Sequence, residues 1–177
     1  MLDTLVTSKT RIKLLLKFFL NAQSSAYLRS LEAEFGESTN AIRVELNRFE
    51  KAGLLESFSE RNKKMFKANT NHPVFKEIQS MLLKFIGIDQ ILDKIINRLG
   101  DINKVFITGD FAMGKDSGQI DLVIVSEKTD TEYLNHLIGK TEPLIKRKIL
   151  YQILDQVQFV NKFPAKNQKN LLLIFSK

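Results

Sequence analysis

The chain contains no cysteine and only two histidines among its 177 residues. The absence of cysteine excludes a disulfide scaffold, a thiol nucleophile and a zinc site with cysteine ligands. His72 and His136 are too far apart in sequence to form a local metal-binding motif. The lack of cysteine is consistent with a protein of the reducing cytoplasm.

Long hydrophobic runs are also missing. The longest apolar runs, at residues 14–16 and 171–175, are far too short to span a bilayer. The first residues include Asp3 and then a polar stretch, which does not match a secretory signal peptide. Because 44% of the residues are hydrophobic, the chain can still bury a substantial core. We therefore expect a soluble, cytoplasmic protein with no membrane partner and with one large or two small domains.

The charge is unevenly distributed along the chain. The net charge of +7 favours a polyanionic partner. Residues 1–87 carry 14 lysines and arginines against 9 acidic residues, whereas residues 88–177 carry 13 against 11. Most of the positive excess therefore belongs to the N-terminal half, where we look first for a contact with nucleic acid.

The first half shows three helical patterns followed by a hairpin pattern. Ser8 and Ser38 are suited to cap the first and third helices, and Gly36 is suited to end the second helix, which begins near Tyr27. Alternating residues on both sides of a charged tip at 59–64 predict a β-hairpin.

This order resembles the winged helix-turn-helix domain, and its wording resembles the arsenic-responsive repressors. The matching segments are 27–31 (Tyr-Leu-Arg-Ser-Leu), 40–46 (Asn-Ala-Ile-Arg-Val-Glu-Leu) and 49–55 (Phe-Glu-Lys-Ala-Gly-Leu-Leu). The resemblance implies a DNA-binding domain over residues 1–70, whose third helix enters the major groove. The outward positions of that helix are Thr39, Asn40, Arg43 and Asn47.

The resemblance assigns these residues two kinds of contact with double-stranded DNA. Arg43 would read a guanine edge, and Asn40 or Asn47 would pair with adenine. The basic residues of the hairpin tip would neutralise backbone phosphates: Arg61, Lys63 and Lys64. DNA contact is the preferred interpretation, and two alternatives stay open: these side chains could form an ordinary solvated surface, or the domain could be a module that docks on a protein.

Residues 71–99 are predicted to form a helical connector. Pro73 suits a helix start, and a broad apolar stripe follows it, formed by Val74, Phe75, Ile78, Met81, Leu82, Phe85 and Ile86. This stripe favours a homodimer contact, although it could also pack on the first domain. Asp89 is expected to cap a second helix that ends at Gly100.

The second half, residues 100–177, carries a different pattern. After a buried strand at 102–108, residues 109–114 read Gly-Asp-Phe-Ala-Met-Gly, and residues 119–121 open the next strand with Gln-Ile-Asp. This resembles the minimal nucleotidyltransferases, whose motif is Gly-Ser followed by an Asp-x-Asp strand. The resemblance implies a mixed sheet with helices near 131–138 and 155–162 and strands at 148–154 and 170–175.

In that family the serine contacts a nucleotide phosphate and the two aspartates hold magnesium on the triphosphate. Here Asp110 replaces the serine, and Gln119 replaces the first aspartate. We therefore expect a vestigial site formed by Gly109, Asp110, Gly114, Gln119 and Asp121, with no catalytic residue and no metal ligand. Asp121 is expected to accept hydrogen bonds from loop N–H groups, and Asp155 is not placed as a ligand.

The predicted fold class is α+β: a winged helix-turn-helix, a helical connector and a nucleotidyltransferase-like mixed sheet. The leading hypothesis is a DNA-binding transcriptional regulator with an inactive second domain and no cofactor. One alternative is an active nucleotidyltransferase of the antitoxin type, which would use magnesium and a nucleoside triphosphate and be targeted by its winged helix. Another is a non-enzymatic protein bound to a helical partner.

Overall fold

The computed structural model describes residues 6–164, 168 and 170–177. The chain divides into two compact units, one ending at Phe85 and the other beginning at Ile86, so the boundary lies inside the segment 71–99. Each unit has its own sheet, with three strands in the first and four in the second. This combination of helices and sheets confirms the expected α+β class.

The first unit combines helices with an antiparallel sheet in the order β1-β3-β2. In chain order its elements are α1 (Lys9–Leu15, continued by the π-helical turn Leu16–Leu20), β1 (Ser25–Tyr27), α2 (Leu28–Phe35), α3 (Thr39–Lys51), β2 (Leu55–Glu60), β3 (Lys63–Ala68) and α4 (Phe75–Ile86). Its core includes Leu14, Phe18, Leu31, Ile42 and Leu46, each at most 1% exposed.

The helix ends follow the local sequence. The hydroxyl of Ser8 accepts a hydrogen bond from the N–H of Arg11, and the hydroxyl of Ser38 accepts one from the N–H of Ala41. Both serines therefore satisfy an N–H of the first helical turn, as predicted. Gly36 ends α2 in the left-handed conformation (φ 63°), which a residue without a Cβ adopts without strain.

The hairpin turns on two residues, Arg61 and Asn62, which both have positive φ (45° and 63°). This is the geometry that matches the twist of the two strands. The second helix begins at Leu28 with Tyr27 at its N-cap position, which confirms the predicted start near Tyr27. The sequence did not predict β1, whose last residue, Tyr27, pairs with Met65 on β3. A strand of three residues is too short to show an alternating pattern in the sequence. Its pairing with β3 is what defines it.

The apolar stripe of α4 is largely buried within the chain itself. Phe75, Leu82 and Ile86 are buried, and the Phe75 ring lies 5.6 Å from the ring of Phe19. Val74 is the most exposed member of the stripe, at 44%. The stripe therefore does not require a second copy of the chain for its burial, and the homodimer stays a prediction.

The second unit is a mixed four-stranded sheet with helices. Its elements are α5 (Ile88–Ile91, then the π-helical turn Leu92–Ile96, then Asn97–Leu99), β4 (Lys104–Thr108), α6 (Gly109–Ala112), β5 (Gln119–Val125), α7 (Thr131–Ile145), β6 (Lys148–Leu154), α8 (Gln156–Lys162) and β7 (Leu172–Ser176). The strand order is β6-β5-β4-β7, in which β5 and β6 are parallel and the other neighbours are antiparallel.

Two expectations for helices of this unit are wrong. Asp89 does not cap α5, because the cap position is Gly87 in the left-handed conformation (φ 89°). α7 does not end near residue 138 but continues to Ile145 through Pro143. Thr141 and Ile145 are buried, so packing outweighs the backbone hydrogen bond that proline cannot donate.

One face of this sheet is covered at one end only. Phe106, Val123 and Leu154 form a hydrophobic cluster there with Phe159 of α8, whose ring stacks on Phe106 at 4.9 Å. Thr108, Asp121 and Leu150 are cross-strand neighbours toward the other end of the same face. Leu150 is 54% exposed, so this end of the face is open and forms a shallow cleft.

Candidate functional sites

A groove of about 490 Å³ lies between the start of α2, the outward face of α3 and the hairpin. Its floor is formed by Tyr27, Leu28, Leu46 and Phe66. Its cations are Arg29, Arg43, Lys63 and Lys64, and two amides, of Asn47 and Asn62, complete the lining. No aspartate or glutamate lines the groove among the residues that the structure describes. The groove therefore presents a strongly positive surface above an apolar floor.

Four of the seven predicted DNA-contacting residues line this groove: Arg43, Asn47, Lys63 and Lys64. The other three lie outside its lining, because Thr39 and Asn40 form the first turn of α3 and Arg61 occupies the hairpin turn. Asn40 and Arg61 are nevertheless exposed.

Sequence reasoning missed Arg29, Tyr27 and Asn62 as lining residues of the groove. Arg29 is the most consequential of them, because it adds a fourth cation. Nothing in the local sequence around Arg29 places it near the hairpin. The pairing of β1 with β3 brings it there.

The two lysines of the groove differ in their surroundings. Lys63 holds its ammonium 4.1 Å from the centre of the Tyr27 ring, a cation–π contact that leaves the charge available. Lys64 lies 2.7 Å from a carboxylate oxygen of Glu50. The hydrogen bond from Lys64 and a second one from Ser57 lower the pKa of Glu50. Lys64 is therefore partly neutralised, whereas Arg29 and Arg43 form no ion pair with any described residue.

A buried ion cluster joins α3 to α1 beneath this surface. Glu45 is 6% exposed, and Arg11 donates to both of its carboxylate oxygens at 2.8 and 3.1 Å. Arg48 donates a third hydrogen bond at 2.9 Å. The hydrogen bond from Arg11 lowers the pKa of Glu45, although burial acts in the opposite direction. Glu45 thus stays ionised and ties the helix that carries Arg43 to α1.

The cleft of the second unit is smaller, about 280 Å³, and has the opposite charge. Asp121 is its carboxylate, and Gly109 forms part of its wall. The other lining residues are neutral: Thr108, Leu122, Val123, Leu150, Tyr151, Gln152 and Phe163. No lysine or arginine is part of this lining within the described part of the chain. The nearest cation the contacts show is Lys162, whose ammonium donates a hydrogen bond of 2.8 Å to the lining residue Gln152.

The predicted vestigial site is only partly assembled around this cleft. Gly109 and Asp121 line it, whereas Asp110 and Gly114 lie in and after α6, outside the lining. The side-chain amide of Gln119 donates a hydrogen bond of 2.8 Å to Oδ1 of Asp121. This corrects the expectation that loop N–H groups would satisfy Asp121. Gly109 has a φ of 65°, and a Cβ at this position would collide with the Asp121 carboxylate.

The residues at this cleft do not fit the magnesium site of the nucleotidyltransferase pattern. A hard divalent cation needs several oxygen ligands with negative charge, and Asp121 is the single carboxylate in the lining. The side-chain amide of Gln119 donates its N–H to one carboxylate oxygen of Asp121. Asp155 is occupied as the cap of α8, where it accepts a hydrogen bond of 2.7 Å from the N–H of Gln158. Among the described residues no three acidic or histidine side chains are grouped to hold a metal ion.

No protein-family model, curated protein sequence or solved structure matches this chain. In the residues that the structure describes, no helix is both long enough and apolar enough to cross a membrane.

Proposed function

We propose that this protein is a DNA-binding transcriptional regulator that contacts duplex DNA with α3 and the β2–β3 hairpin, in the manner of a winged helix-turn-helix. The observation that carries the proposal is the groove, which combines four cations with no carboxylate in its lining. A surface of this kind binds phosphate, because each neutralised phosphate releases condensed counterions. The excess of basic residues in the N-terminal half supports the same partner.

In this proposal the residues of the groove, of the first turn of α3 and of the hairpin turn make two kinds of contact, with base edges and with phosphates. Arg43 and Asn47 project from the middle of α3, where a guanidinium and an amide can read base edges. Asn40, on the exposed first turn, is a further candidate for base contact. Arg29 and Lys63 supply charge to the backbone phosphates, and Arg61 extends this contact from the hairpin turn.

The second unit acts, in this proposal, as an inactive nucleotidyltransferase-like domain. The physical reason is the cleft, which holds one carboxylate bonded to a neutral amide and has no cation in its lining. A nucleoside triphosphate brings several negative charges, and magnesium must be held on it by more than one acidic ligand. The second unit would serve for dimerisation or for sensing. The protein would act as a homodimer, detectable by light scattering as twice the monomer mass of 20.3 kDa.

The DNA proposal is tested by fluorescence anisotropy with random duplexes and with a duplex selected from a random pool, over a series of salt concentrations. We expect affinity to fall steeply with salt and Arg43→Ala to reduce the preference for the selected duplex more than the affinity for random DNA. Lys51→Ala, on the same helix but outside the groove, is the matched control. Salt-independent binding, or an Arg43→Ala variant that loses both affinities equally, would contradict the proposed base contact.

The inactivity of the second unit is tested with labelled nucleoside triphosphates and magnesium or manganese. We expect the unmodified chain to catalyse no transfer of a nucleotidyl group from the triphosphate, with release of pyrophosphate, to itself or to added protein or nucleotide. The comparison is an Asp110→Ser, Gln119→Asp double variant, which restores the motif of the family. Transfer by the unmodified protein that disappears in Asp121→Ala would overturn this part of the proposal.

A further inference from the structure

The groove of the first unit has more apolar surface than contact with a DNA backbone uses. Its volume of about 490 Å³ falls in the range of small-molecule sites, about 300–1,000 Å³. The partly exposed apolar side chains of its floor are Tyr27 and Leu28, whereas Phe66 is 5% exposed and lies 5.1 Å from the ammonium of Lys64. Phosphate oxygens would satisfy the cations of the rim but would leave this floor against water. A planar apolar group would cover it.

The charge around the floor specifies the rest of the ligand. Arg29 and Arg43 are exposed and form no ion pair with described residues, and Lys63 stands above Tyr27 at the edge of the floor. The lining contains two amides but no carboxylate that could compete for these cations or attract a basic ligand. Guanidinium groups bind carboxylate and phosphate through two parallel hydrogen bonds.

We propose that this groove binds a small amphipathic anion, a planar ring that carries a carboxylate or a phosphate, and that this ligand and DNA exclude each other. The acid group pairs with Arg29 and Lys63, and the ring lies against Tyr27 and Leu28, the partly exposed part of the floor. The exclusion rests on the proposed function, because Arg43 and Asn47 line the groove and also read DNA. Binding of the anion itself does not depend on it.

The exclusion makes the ligand an inducer by simple competition. Thermodynamic linkage requires that bound DNA lower the affinity for the ligand by the same factor by which the bound ligand lowers the affinity for DNA. No movement of the second unit is needed for this effect. Two sources share the required chemistry, a free aromatic acid and a mononucleotide, and they differ in the acid group and in the hydrogen-bonding edge of the ring.

The experiment uses the full chain and the fluorescent anion anilinonaphthalene sulfonate as the probe. Naphthoate and adenosine monophosphate are then tested as displacers, each beside its uncharged counterpart, naphthylmethanol and adenosine. We expect the anions to displace the probe and the uncharged partners to fail. The stronger of the two displacers identifies the source. Arg29→Ala should weaken the probe about tenfold, the size of one charge-assisted hydrogen bond, and Lys51→Ala should leave it unchanged.

The same displacers are then added to the complex with duplex DNA in the anisotropy assay. Release of DNA at the concentrations that displace the probe supports the proposal. DNA binding without any binding of the anions overturns the inference and leaves the proposed function intact. Probe binding by a chain that binds no duplex overturns the proposed function and the exclusion, but keeps the ligand site. Equal binding of charged and uncharged rings overturns the requirement for an anion.

Discussion

The groove of the first unit and the cleft of the second are both open concavities beside a sheet, but their charges are opposite. The groove has four cations and no carboxylate in its described lining, whereas the cleft has one carboxylate and no cation. Two unit charges 4 Å apart interact by about 4 kcal/mol at an effective dielectric of about 20. The charge of each lining therefore favours an anionic group in the groove over one in the cleft.

The carboxylates of the two regions differ in the same way. Glu45 and Glu50 are held by Arg11 and Lys64, and these hydrogen bonds lower the pKa of each glutamate. Asp121 is held by a neutral amide, that of Gln119. The difference shows that the partners of a charged group decide what it can bind.

The largest expected effect comes from removing the positive charge of the groove. An Arg29→Ala, Arg43→Ala, Lys63→Ala variant should bind the selected duplex roughly 100- to 500-fold more weakly near 0.1 M salt. Arg29 and Lys63 each give up a phosphate contact worth up to about tenfold there, and Arg43 gives up a base contact. Anisotropy should also show a flatter salt dependence. Arg61 is left in place because it lies outside the lining of the groove.

The matched control for this variant removes the same charge from the second unit. Lys94, Arg98 and Lys140 line a separate pocket there, and their replacement by alanine changes the net charge equally. We expect less than a threefold effect on DNA affinity. An equal loss in the two triple variants would show that net charge, and not the groove, carries the binding.

The second prediction tests the close packing that distinguishes the cleft. Gly109→Ala should destabilise the second unit by about 2 kcal/mol more than Gly118→Ala. Both glycines have positive φ, 65° and 76°, but a Cβ at 118 has open space while a Cβ at 109 meets Asp121. Urea denaturation of the two variants measures the difference. Equal losses would mean that Asp121 moves aside without cost.

The third prediction concerns the buried carboxylate beneath the groove. Glu45→Gln should destabilise the first unit by about 1–2 kcal/mol at neutral pH, since it removes charge-assisted hydrogen bonds from Arg11 and Arg48. Because the pKa of folded Glu45 lies below its ordinary 4.5, this stability is complete above that pH and is lost as the pH falls through the lowered value.

Denaturation of the native chain and of Glu45→Gln between neutral and acidic pH checks this. The two stabilities should converge in acid. Glu32→Gln, an exposed substitution on α2, is the control and should follow the native chain. A gap between the native chain and Glu45→Gln that is constant with pH would assign the loss to packing.

The smallest expected effect comes from the ion pair between Glu50 and Lys64 beside the groove. Glu50→Gln should strengthen DNA binding about three- to fivefold, because it frees Lys64 for a phosphate and removes a negative charge beside the DNA. Glu56 forms an ion pair of 3.4 Å with Lys67, which does not line the groove. Glu56→Gln should therefore change the affinity for DNA less. Anisotropy at one low salt concentration separates the two. A weaker Glu50→Gln complex would mean that Glu50 positions Lys64 for DNA.

The elements of the fold were largely predictable because their signals are local. Ser8 and Ser38 cap their helices as expected, and Gly36 ends α2. The strand pattern of residues 119–125 and 148–154 matches β5 and β6. The errors arose where a distant contact decided the outcome, as at β1, which exists through its pairing with β3, and at α7, which continues through Pro143 because its buried face is packed.

The amino-acid sequence by itself determined the caps, the turns, the alternation of the strands and the excess of positive charge in the first half, since each depends on residues close together in the chain. The tertiary structure decided which charges share a surface. Arg29 joins Lys63 in one groove only through the pairing of β1 with β3, and Glu45 finds Arg11 across 34 positions. Such contacts follow from the packing of the whole unit, which no local pattern encodes.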